Sequence, residues 1–63
     1  MNATYRATRQ GETPGVKFEA RTVRAAKAQA SRLLEGGAFP GQRITLATDW
    51  NAWSKPAGGR WDH

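Results

Sequence analysis

A chain of 63 residues with no cysteine and one histidine, His63, holds a single small domain (1–63) and excludes disulfides, thiolate metal sites and a paired-histidine ligand set. With 38% hydrophobic and 24% charged residues it is composed like a folded protein, and no apolar run approaches the ~20 residues of a membrane span. Ten Lys and Arg against five acidic residues leave a net charge of +5, the wrong sign for a mimic of nucleic acid; the excess points to phosphate backbones or to a protein that holds them, and it also serves solubility.

Residues Ala3 to Arg9 alternate, with Ala3, Tyr5 and Ala7 on one side and Thr4, Arg6 and Thr8 on the other. That period of two predicts a half-buried strand. No apolar signal stretch stands in Met1 to Arg6, so the expected product is soluble and intracellular. The breakers in 10–15 predict a loop, after which Val16 and Phe18 alternate inward and return the chain as a hairpin.

From Thr22 the period changes. Val23, Ala26, Ala30, Leu33 and Leu34 fall on one helical stripe, Thr22 is a good N-cap, and Gly36-Gly37 supplies the stop. The spacing predicts a helix over 23–35, its small alanines bringing it close to a sheet, with Ala26, Ala30 and Leu33 packed on Phe18, Ile44 and Leu46. Beyond a turn at Phe39-Pro40-Gly41, residues 43–48 read as a strand with Ile44 and Leu46 inward. Residues 49–51 form a hairpin tip, 52–55 a return strand, and 60–62 a last edge strand after the turn at 56–59. The expected architecture is α+β, a small antiparallel sheet with one helix packed on one face, in the order ββαβββ.

Catalytic chemistry finds no purchase in this pattern. The five carboxylates are scattered, Ser31 and Ser54 have no histidine partner, and the Gly pairs lack the spacing that cradles phosphate. No catalytic residue, metal ligand or cofactor is assigned. The candidate binding residues are basic and aromatic. Arg24 and Arg32 project from the outer helix face, and Lys27 lies at the stripe's margin, where its stem can follow the sheet. Lys55 and Arg60 flank the turn at 56–59 and are expected near each other. Trp50, at the tip, is placed to contact a partner or stack on a base. Core packing is assigned to Tyr5, Phe18, Phe39, Trp53 and Trp61, the two tryptophans lying on neighbouring strands where they can form a cross-strand pair.

Phe18-Glu19-Ala20, Ala26-Lys27, Ala30-Ser31-Arg32, Phe39-Pro40-Gly41, Trp53 and Arg60-Trp61-Asp62 together resemble the ninth family of small phage anti-CRISPR proteins directed at type I-F systems. The resemblance runs along nearly the whole chain. It implies a small antiparallel sheet with one helix, working as a monomer in the host bacterial cytoplasm. The implied partner is a type I RNA-guided surveillance complex (Cascade), of subtype I-F or I-C, bound through its Cas backbone subunits. The implied effect is to block pairing of target DNA with the guide and to promote non-specific DNA binding. By position, Lys27, Arg32, Lys55 and Arg60 match the family's basic contact residues; where the family has a Gln near the helix end and a His before the glycine, this chain has Leu34 or Glu35 and Pro40. The other reading open at this point is a free-standing basic nucleic-acid-binding domain of phage or bacterial origin, touching DNA or RNA phosphates.

Overall fold

A computed structural model describes residues 2–61. Its elements are β1 (Ala3–Arg9), β2 (Glu12–Ala20), α1 (Val23–Leu34), a 3-10 turn (Glu35–Gly37), β3 (Arg43–Ala47) and β4 (Ala52–Pro56). The strands form one antiparallel sheet in the order β2-β1-β3-β4, and α1 lies across one face. The small α+β fold is therefore the one the sequence predicts. Among the described residues it has four strands, since Arg60 and Trp61 form none; the rest of the expected last strand, Asp62, lies outside the described residues.

The first hairpin is tighter than expected. Its turn is Gln10-Gly11 alone, with Gly11 at φ 85°, and β2 already starts at Glu12 opposite Arg9. The remaining breakers are absorbed by a bulge, where the register shifts between Ala7 and Arg9. Gly15 sits in that bulge at φ 86°, and a Cβ there would fall on the Ala7 carbonyl oxygen. Only glycine fits both the conformation and the approach.

The helix begins as its cap predicts, with the Ala25 N–H donating to Thr22 Oγ1 at 3.0 Å. At its other end Arg9 reaches across from β1 and donates to the Leu34 carbonyl at 3.3 Å. A cation at the negative end of the helix is favourable, and the bare Gly37 leaves room for the guanidinium. Glu12 holds the same guanidinium through Nε and Nη2, at 3.2 and 2.9 Å.

The core lies between α1 and the sheet. Ala26, Ala30 and Leu34 meet Tyr5, Ala7, Ile44 and Leu46, the last two fully buried, and Phe18 and Trp53 pack at the margin. Leu33, expected in this layer, is 47% exposed, and Leu34 takes its place. At 100° per residue Ala26, Ala30 and Leu34 advance by 40° per step of four, while Leu33 falls about 20° behind Ala26, so the two leucines take opposite edges of the stripe and the sheet covers the Leu34 edge. Three other inward assignments are corrected. Ala3 is exposed at the start of β1, Val16 is 40% exposed on edge strand β2, and Phe39 is 60% exposed beyond the end of the helix.

Candidate functional site

Helix geometry sets Arg24 and Arg32 on the outer face of α1, and both are exposed; Arg21 is exposed just before the cap. Lys27 behaves as its marginal position implies. It is half-buried, with its Nζ 5.8 Å from the centre of the Trp53 ring, so its stem follows the apolar layer and its charge rests on an aromatic face. Trp53 in turn tilts against Tyr5 at 6.5 Å, and Tyr5 stacks on Phe18 at 6.1 Å. That aromatic row packs at the margin of the core beneath the helix.

Lys55 is the main correction. It is only 4% exposed, inside the molecule rather than on a contact surface. Register explains this, since Lys55 pairs with the fully buried Ile44 and shares the helix-side face of β4 with Trp53. Its ammonium forms an ion pair with Glu35, donates to Ser31 Oγ at 3.3 Å and lies 5.7 Å from the centre of the Trp61 ring. Trp61 donates through its indole N–H to the same Ser31 oxygen, also at 3.3 Å. Trp61 is thus tied to the helix through Ser31, and it neither pairs with Trp53 nor continues the sheet. The Lys55 ammonium, and after it the Gly58 N–H, hold the Glu35 carboxyl below the usual carboxylate range, against the opposing effect of burial. Serine and lysine side chains in contact are also found as nucleophile and base. Here the Ser31 oxygen already accepts twice and the amine is committed to Glu35, which makes the cluster a structural tie.

Trp50 stands where the sequence places it, at the tip between β3 and β4, 88% exposed. The tip is internally braced. Thr48 Oγ1 accepts from the Trp50 and Asn51 N–H groups at 3.1 and 3.0 Å, and the Thr48 N–H donates to the Asn51 carbonyl at 2.8 Å. An exposed indole on such a turn can enter a partner's pocket with little ordering cost. Arg60 is exposed beyond the turn at 57–59 and, with Lys55 buried, does not share a surface spot with it.

The outward group is therefore Arg24, Lys27, Arg32, Arg60 and Trp50. Among the described residues none of these four cations enters an ion pair. A second concentration of charge was not singled out from the sequence. Arg6, Lys17 and Arg43 lie on the sheet face turned away from the helix, a consequence of the same alternation that buries Tyr5 and Ile44. Among the described residues no three His, Asp or Glu side chains converge as a metal site would require, and no helix is long and apolar enough to cross a membrane. No family model matches this chain, and neither a curated protein nor a solved structure matches it.

Proposed function

We propose that this protein is a small inhibitor that docks on the backbone subunits of a type I RNA-guided surveillance complex and blocks pairing of target DNA with the guide. What supports this is the resemblance described above, together with a fold of the implied kind. The observation that carries it is the outward set itself: Arg24, Lys27, Arg32 and Arg60 outside any described ion pair, and Trp50 braced and bare at the tip. Such complexes run guide and target through positively charged channels. A protein of charge +5 is repelled by the channel wall, so its cations must meet an acidic rim, the guide's phosphates or incoming DNA.

The test is order of addition with purified complex. Added before target DNA, the protein is expected to abolish target binding; added after loading, it should have little effect. Equal inhibition in both orders counts against competition with pairing, and failure to bind any type I complex sinks the reading. Arg32→Glu and Trp50→Ala are expected to weaken complex binding at least tenfold while leaving the melting temperature near that of the parent, because both residues are exposed.

The second reading, a free-standing nucleic-acid-binding domain, is favoured by the basic sheet face. Salt-dependent binding of DNA by the protein alone, with no complex bound, is the result that selects it.

A further inference from the structure

We infer that the end of the molecule carrying the turn at 39–42 is a self-complementary surface, through which two copies of this chain pair about a two-fold axis. The inference goes beyond the inhibitor reading, does not need it, and shares only Arg60 with its contact set. It starts from Phe39, which is 60% exposed. A lone exposed ring needs no explanation. This one is carried on a turn that is fixed in place. The Phe39 N–H donates to Gln42 Oε1 at 3.3 Å, and the Gln42 N–H donates back to the Phe39 carbonyl at 3.0 Å. Gln42 is itself buried, and its side-chain amide donates to the Gln10 carbonyl at 2.9 Å.

Beside the ring lies its counterpart. Ala38 and Pro40, the chain neighbours of Phe39, form with Ala57, Gly58 and Glu35 an open hollow of about 300 Å³, room enough for an aromatic ring. Phe39 itself does not line it. The walls are as firm as the turn, since the Ala57 N–H donates to the Gln42 carbonyl at 2.8 Å and the Gly58 N–H to Glu35 Oε1 at 2.9 Å. Lys55 and Gly58 both use that one oxygen, and no described donor takes the other oxygen of this carboxylate, which is a third exposed at the hollow. Arg60, two residues beyond Gly58, is exposed and outside any described ion pair.

The occupant follows from the patch. A knob, a hole, an acceptor and a cation lie within a few residues of one another, so each finds its complement on a second copy related by two-fold rotation. In that pairing each Phe39 enters the other copy's hollow, and each Arg60 faces the other's Glu35. Trp50, the other bare ring, sits at the opposite end of β3. Its entry into the hollow would link copies head to tail without closing. An apolar centre also suits two chains of charge +5, since none of Arg6, Lys17, Arg24 or Lys27 lines the hollow. One ring and one hollow per copy fall well short of the about 1,200–2,000 Å² of a stable complex, so the dissociation constant should be on the order of 0.1 mM. The chain is then a monomer when dilute.

The experiment is sedimentation equilibrium of the full chain from about 10 μM to about 1 mM, in about 0.3 M salt to screen the net charge. Amide and methyl spectra over the same series locate the contact. The mass should rise toward that of two chains and no further, with shifts at 35, 38–40 and 57–60. In a mixture of labelled and unlabelled protein, nuclear Overhauser contacts between copies should join the Phe39 ring to the Ala57 methyl. Phe39→Ser is expected to weaken pairing at least tenfold, and Arg60→Glu severalfold. Both residues are exposed, so both variants should melt close to the parent. A constant monomer mass at the highest concentration, undiminished pairing in Phe39→Ser, loss of pairing in Trp50→Ala, or growth beyond two copies would each overturn the inference. Neither surveillance complex nor nucleic acid is present in this assay, so its outcome is separate from that of both readings above.

Discussion

Replacing Glu35 by alanine is expected to cost about 2–3 kcal/mol, whereas Lys55→Met should stay within about 1 kcal/mol of the parent. The asymmetry comes from burial. Lys55 is enclosed, and without Glu35 its ammonium keeps only the Ser31 oxygen and the Trp61 ring. Glu35 is a third exposed and recovers water when its partner leaves, which also holds the cost below the 3–5 kcal/mol of a fully enclosed pair. Methionine restores the apolar volume of the lysine stem, so Lys55→Met loses the pair without leaving an orphan charge. Urea unfolding of both variants checks this. The pH dependence has a definite sign. Glu35 titrates lower in the folded chain, so its stabilisation is complete above the unfolded carboxylate value and is lost as pH falls through the folded one. Stability should hold from neutrality to about pH 5 and decline below about pH 4, less steeply in Glu35→Gln. Equal cost for Glu35→Ala and Lys55→Met would show that the pair contributes packing alone.

Leu34→Ala should be the most damaging single truncation of the helix, at about 2–4 kcal/mol. A domain below 70–80 residues rarely draws more than about 3–5 kcal/mol from its core, so this variant should be largely unfolded at 37 °C. The neighbouring Leu33→Ala should cost less than about 1 kcal/mol, since that side chain is already half in water. The contrast is measurable by thermal melts followed by circular dichroism. Alanines cannot compensate for a lost leucine, because at Ala26 and Ala30 the helix already sits directly on the sheet.

The helix was legible in the sequence because three signals agreed: the Thr22 cap, the change of period and the glycine stop. The choice between Leu33 and Leu34 was not, since adjacent leucines straddle the stripe and the sheet alone decides which edge is covered. The bulge escaped notice because Pro14 and Gly15 read as loop, while their backbone can kink and still rejoin the ladder. For Lys55 the parity was present. Trp53 facing inward requires Lys55 to do so too, but a buried lysine is credible only once Glu35 and Ser31 are seen to converge on it. Arg60-Trp61 alternates like a strand, but Trp61 instead meets the Ser31 hydroxyl of the helix and the Lys55 ammonium, neither of which its own segment announces. The open basic face was implied as soon as Arg6 was set opposite Tyr5. Its extent needed the strand order, which places Lys17 on one side of β1 and Thr45 and Ser54 on the other.

The two outermost strands, β2 and β4, each contain a proline, Pro14 within the bulge and Pro56 at the end of its strand. A proline has no N–H to offer a neighbouring chain, the bulge twists the edge away from flatness, and Lys17 adds a charge that a second copy would have to confront. An incoming strand from another molecule therefore meets a broken ladder on both sides. So small a sheet, with so thin a core behind it, must open often. These edges let it do so without seeding fibrils, a safeguard in the backbone that is independent of whatever the side chains bind.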